Sequence, residues 1–156
     1  MSVVLHISEG VIARVTVLDA GEQPPVALSA ARTGDAHLLV EPQDDVLAHA
    51  ALVAQAERIS VNFPKFTDGR GYSSASLLRS RLAFRGALRA TGDVLVDQVL
   101  YLVRVGFDEI ALRADQKVAD AVRALSIVDI DYREQYKSVT GIHESALARI
   151  TEEYAV

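Results

Sequence analysis

From Ala36 onward the chain alternates short β-type runs with helix-length runs, and this alternation limits the possible folds more than any other feature. His37 to Val40, Arg58 to Phe63, Ala87 to Ala90 and Phe107 to Arg113 read as strands. Between them, Asp44 or Asp45 is placed to cap a helix reaching about Ala56, and Ser73 or Ser74 to cap one ending near Gly86. Gly92-Asp93 opens a third, which runs to Val105 and closes at Gly106. A fourth helix spans about Asp115 to Leu125. Strands separated in this way pair in parallel through right-handed crossovers. The expected class is α/β, with a parallel sheet of about four to five strands and crossover helices. The short, similar units favour an incomplete β/α barrel-like form. A reversal in strand order would give a doubly wound sheet instead.

The two ends read differently. Val3 to Ile7 and Val11 to Leu18 are β-type runs parted by Glu9-Gly10, and Gly21-Glu22-Gln23-Pro24-Pro25 then breaks the chain. Residues 1–34 are expected to form an N-terminal β-hairpin or flap, 35–136 the α/β core and 137–156 a helical extension, all within one domain. Val128 to Tyr132 is a candidate last strand. Ile142 to Tyr154 carries Leu147, Ile150 and Tyr154 on one stripe. Such a stripe docks on its own domain or on a second copy, which makes a homo-oligomer a candidate assembly.

Composition removes several function classes. Cysteine is absent, so the chain supplies no disulfide, thiolate nucleophile or cysteine-ligated metal of its own. His6, His37, His49 and His143 are scattered without metal-ligand spacing, and no metal site is expected. A net charge of −5 and few aromatic residues argue against nucleic acid as a partner, and the acidic excess against an anionic membrane. The start lacks a secretory signal, and no apolar run approaches bilayer length, so a cytoplasmic protein is expected. Neither a phosphate-binding GxxxxGK[ST] loop nor a Gly-x-Ser-x-Gly elbow is present. Gly69 to Ser74, GRGYSS, is a poor dinucleotide fingerprint: Ser74 stands at the third glycine, and Pro-Lys-Phe-Thr-Asp separates it from the strand. No cofactor is evident.

The chemistry concentrates in Asn62 to Ser74, NFPKFTDGRGYSS, between a strand and a helix. In a parallel sheet all strand-to-helix loops emerge at one edge. Lys65, Asp68, Arg70 and Tyr72 are therefore expected to meet Arg89, Thr91, Gly92 and Asp93, and then Arg113, Asp115 and Gln116, on one rim. Asp93 also reads as a helix N-cap. Arg79 projects beside the core stripe Ala75, Leu78 and Leu82, and needs a carboxylate such as Asp68 or Asp93, or an anionic ligand. The candidate anion-binding set is Lys65, Asp68, Arg70, Tyr72, Arg79, Arg89 and Asp93. If there is catalysis, Asp68 and Lys65 are the acid–base candidates.

Phe63 to Leu112 contains the pieces FPKFTDGRGYS, LRSR, LRATGDVLVDQ and RVGFD. This stretch closely resembles a bacterial domain family of unknown function whose genes commonly neighbour those of assimilatory sulfite reduction. Members are often labelled oxidoreductases of that pathway. The resemblance implies a pathway and not a mechanism, because no redox group is visible. It implies an accessory protein of sulfate and sulfite reduction that binds a small oxyanion or a sulfite reductase subunit at the rim. Lys65, Arg70, Arg79 and Arg89 suit sulfite, sulfate or phosphate in charge and donor geometry. An enzyme acting on an anionic substrate and a nicotinamide- or flavin-dependent oxidoreductase are the alternatives.

Overall fold

The computed structural model describes residues 3–8, 11–18 and 21–126. The expected strand at Val128 to Tyr132, the amphipathic run Ile142 to Tyr154 and the extension 137–156 lie outside the described residues. The remaining elements follow the expected alternation. β1 (Val3–Ser8) and β2 (Val11–Val17) form an antiparallel pair, and β3 is the short strand Val26–Ala27. β4 (His37–Val40), α1 (Ala50–Val53), β5 (Arg58–Phe63), α2 (Arg70–Ser80) and β6 (Ala87–Gly92) come next. α3 (Val99–Val105), β7 (Glu109–Ala111) and α4 (Val118–Ser126) complete the series.

All seven strands join one sheet in the order β2-β1-β7-β6-β5-β4-β3. β3 to β7 are parallel and sequential, with no reversal, so the doubly wound alternative is not adopted. The hairpin is not a flap. It extends the sheet, with β1 pairing antiparallel to β7 from Val4–Ala111 to His6–Glu109. The hairpin thus joins the five parallel strands in one mixed sheet, hydrogen bonding the free edge of β7 and satisfying its backbone groups.

Right-handed crossovers along an unreversed strand order put the connecting helices on one face, where α2 neighbours α3 and α3 neighbours α4. Alternate strand residues point there: Leu38 and Val40, Ile59, Val61 and Phe63, Leu88 and Ala90, Ile110, and Leu5. α2 meets them with Gly71, Ser74, Ala75 and Leu78, a stripe at helical spacing. A Cβ at Gly71 would stand 2.7 Å from the Phe63 ring, so this helix approaches β5 as closely as it does only with glycine there.

Helix starts depart from expectation. α2 begins at Arg70, ahead of Ser73 and Ser74, and α3 begins well after Gly92-Asp93, behind a 3-10 turn at Val96–Gln98. Leu95 precedes that turn, and Gln98 folds back to accept from the Leu95 N–H at 2.8 Å. Asp93 is therefore not a helix N-cap. Asp45 does cap, accepting from the Leu47 N–H at 3.0 Å. Among the described residues, no helix is long and apolar enough to cross a membrane.

Candidate functional site

The sequence places its polar side chains in three locations. At the rim formed by the C-terminal ends of the parallel strands, Lys65, Asp68, Arg70, Tyr72, Asp93, Arg113, Asp115 and Gln116 gather around the loop after β5. Asp93 ties the loops together, accepting from the Phe66 N–H at 2.9 Å and from Arg113. The Phe66 N–H and then Arg113 hold its carboxyl below the usual range. Gln98 donates to the Tyr72 hydroxyl at 2.9 Å, and Tyr72 packs against Phe63 and edge-on to Tyr101. Burial raises the Tyr72 phenol against the opposing Gln98 hydrogen bond.

The rim arginines are already matched. Arg70 donates two side-chain hydrogen bonds to Asp68, at 3.0 and 2.7 Å, and that fork lowers the Asp68 carboxyl to about 2. Arg113 grips Asp115 in the same way, holding its carboxyl at about 2, and also reaches Asp93. Lys65 is exposed, and so are Phe66 and Tyr101.

Arg79 does not reach the rim. It lies at the opposite edge of the sheet, donating to the carbonyls of Gly106 (3.0 Å), Phe84 (2.7 Å) and Gly86 (3.0 Å) and pairing with Asp108. Its carboxylate partner is thus neither Asp68 nor Asp93. α2 runs antiparallel to the strands, so a residue near its C-terminus falls at the end of the sheet remote from the rim. Gly106 gives room there, with φ +105° and the Arg79 Cγ 3.1 Å from where a Cβ would stand. Arg79 pins the turns entering β6 and β7.

Arg89 also leaves the rim. It sits in the middle of β6 and points to the face of the sheet away from the helices. Alternation puts His37 of β4, Arg58, Ser60 and Asn62 of β5, Arg89 and Thr91 of β6, Glu109 of β7 and His6 of β1 on this same face. The register sets Arg89 directly opposite Glu109. Arg89 Nε donates to Glu109 at 2.7 Å, with both side chains 8% exposed. Arg58 NH2 donates to the other Glu109 oxygen at 3.2 Å, and its Nε lies 3.2 Å from Glu109 Oε2 without a hydrogen bond.

Glu22 closes this cluster from above. It comes from the strap Gly21-Glu22-Gln23-Pro24-Pro25 between β2 and β3. Its Oε2 accepts from Arg89 NH1 at 2.7 Å, and its Oε1 from Arg89 NH2 at 3.2 Å and from Arg58 NH1. The Arg89 hydrogen bond holds the Glu22 carboxyl below the ordinary range, and Arg58 reinforces it. Burial draws the Arg89 guanidinium down, but Glu22 and Glu109 outweigh it and the net direction is up.

Two hollows open beside the two arginines. The larger, about 430 Å³, is lined by β1, β2, the strap, Arg58 and Arg89. The smaller, about 160 Å³, lies between the strap and His37, Ser60, Arg89 and Thr91. His37 Nε2 and Ser60 Oγ are 2.8 Å apart, and His6 Nε2 is 2.8 Å from Thr16 Oγ1. Burial lowers both imidazoles, and the two arginines push in the same direction. No group of three or more metal-ligating side chains is found among the described residues.

Glu22, Arg58, Glu109, His6, His37 and Ser60 were not anticipated by the sequence reading. A signal existed. Strands of a parallel sheet covered on both faces read as nearly continuous apolar runs. Here Arg58, Ser60 and Asn62, then Arg89 and Thr91, interrupt β5 and β6 at every second residue. That period marks a face that none of the described helices covers.

Searches of curated proteins and of solved structures gave no match. Residues 37–143, more than half of the chain, match a family described as "Bacterial protein of unknown function (DUF934)". The matched stretch contains Arg58, Arg89 and Glu109 and begins after the Glu22 strap. By this match, the chain is a member of that bacterial family of unknown function.

Proposed function

We propose that the protein binds a small oxyanion, with the face opposite the described helices serving as the inner wall of an incomplete β/α barrel and Arg58 and Arg89 as receptors. One observation carries this reading: two guanidiniums converge on a single carboxylate at the side of a hollow of about 430 Å³. Arginine forks match the spacing of oxygens in carboxylate, sulfate and phosphate groups, and partial burial strengthens the contact. The rim is the weaker seat, because Arg70 and Arg113 are well exposed, where a charge-assisted contact contributes little. The resemblance to proteins encoded beside sulfite reduction genes directs attention to sulfite and sulfate. It also suggests a cytoplasmic accessory role next to a reductase subunit, with no electron transfer by this chain.

Calorimetric titration with sulfite, sulfate and phosphate tests the reading. Arg58→Ala is expected to weaken binding at least about tenfold, since a charge-assisted hydrogen bond contributes about 1.5–3 kcal/mol. Arg70→Ala is expected to leave it unchanged. The reverse pattern moves the site to the rim.

A catalytic reading draws on the His37–Ser60 contact, a hydroxyl held within reach of an imidazole beside a hollow. In that case the protein acts on an anionic substrate with His37 as base. Covalent labelling of Ser60 by a fluorophosphonate, abolished in His37→Ala, supports it; an unlabelled protein discards it.

A further inference from the structure

The Arg58–Arg89 pair is occupied by a group from its own chain, and the occupant differs from the permanent counter-ion. Glu109 belongs to β7, is set opposite Arg89 by strand register, and its side chain is 8% exposed. Glu22 comes from the strap, and its side chain is 27% exposed. Two arginines and Glu109 leave one positive charge over, which Glu22 cancels. Without Glu22, another anion must take that place, because partly buried guanidiniums are costly when unpaired.

The Glu22 carboxylate also describes its replacement. One oxygen lies on one Arg89 nitrogen, and the other bridges Arg89 and Arg58. Any terminal carboxylate, sulfo or phospho group offers the same pair of oxygens. The adjoining hollow has room for more than an inorganic ion. Val4, Val17 and Leu18 line it on the apolar side, and His6, Arg14 and Thr16 on the polar side. This composition suits an organic molecule with a charged end. The clamp lies within the stretch matched by the family, whereas Glu22 lies outside it.

We propose that Glu22 is an internal stand-in for the ligand: a small organic anion seats its terminal oxyanion on Arg58 and Arg89 by displacing Glu22, and the strap lifts. This rests on the anion-binding reading above. A tethered competitor acts at an effective concentration of about millimolar or more, so it weakens the apparent affinity of any free anion. It also rejects anions unable to use both arginines.

The test titrates wild-type protein and Glu22→Gln with sulfate, phosphate and succinate, and follows hydrogen exchange of the Gly21, Glu22 and Gln23 amides in wild type. The proposal expects Glu22→Gln to bind at least one probe about tenfold tighter or more. It expects saturating probe to speed exchange of the strap in wild type. Sulfate and phosphate binding without succinate binding restricts the seat to tetrahedral groups; stronger succinate binding assigns the hollow to an organic body. If wild type binds and Glu22→Gln binds equally or more weakly, displacement is overturned and the anion reading stands, with Glu22 as a co-ligand. Binding by neither protein overturns both. Should Glu22→Gln fail to fold, exchange in wild type decides, and strap amides that slow with probe overturn the proposal.

Discussion

The rim and the face opposite the described helices carry the same chemistry, arginine against carboxylate, built over different distances along the chain. At the rim Arg70 pairs with Asp68 and Arg113 with Asp115, each two residues away and with both arginines well exposed. On the open face Arg89 meets Glu109 and Glu22, and Arg58 meets the same two, from strands and a strap far apart in sequence. A pair between near neighbours can persist in the unfolded chain and adds little to folding. A pair assembled only by the sheet is present only in the native state. Charge density along the chain thus points to the rim, while the electrostatics that depend on the fold lie elsewhere.

Removing a carboxylate from each region separates the two most sharply. Glu109→Ala leaves Arg89 and Arg58 short of a partner in a buried setting, and is expected to cost about 3–5 kcal/mol in urea unfolding. A cost below about 1 kcal/mol, typical of exposed pairs, would make the open face equivalent to the rim. Arg79→Met tests the third location. It strips donors from three carbonyls and from Asp108, with an expected loss of about 1–3 kcal/mol and no effect on anion binding.

Acid distinguishes the regions by the pH at which each responds. His6 and His37 titrate below the ordinary histidine value, so the folded state disfavours their protonation. Their contribution is whole above the unfolded value of about 6.5 and fades as pH falls through the lower folded values. The melting temperature should therefore drop between neutral and mildly acid pH, and less so in a His6→Gln/His37→Gln double variant. An equal drop in both proteins would put the sensitivity elsewhere. Asp68 responds later, because its carboxyl titrates at about 2 in the fold. Its contribution is present above the unfolded value and lost only as pH falls towards 2. The smallest effect belongs to Arg70→Ala, expected to leave the neutral-pH melting temperature unchanged. A clear drop would show that the loop after β5 depends on its local pair.

The alternation of strands and helices was legible because each unit carries its own signals: β-branched runs, Gly106 at a helix end, Asp45 at a helix start. The gathering of Asp68, Tyr72, Asp93 and Arg113 on one rim followed from parallel topology alone. Arg79 was misplaced because its partner depends on which way α2 runs across the sheet, information absent from its neighbours in sequence. Arg89 is expected on the rim because the strand is read as ending at Ala90, whereas β6 continues to Gly92 and holds it mid-strand. Glu22 and Glu109 were missed for a related reason. Nothing near either residue in the chain announces a buried arginine, since Arg89 reaches Glu109 only through the β6–β7 register and Glu22 only through a strap remote in sequence. The alternation of Arg58, Ser60 and Asn62, then of Arg89 and Thr91, is the local trace of that face.

The placement of β1 also bears on how the chain is made. Val4 must find Ala111, so the first strand leaves the ribosome long before its partner and waits through the synthesis of every parallel unit. Until β7 emerges, the hairpin has an unsatisfied edge open to a copy of itself on a neighbouring nascent chain. Slow closure of that last pairing follows from the length of intervening chain.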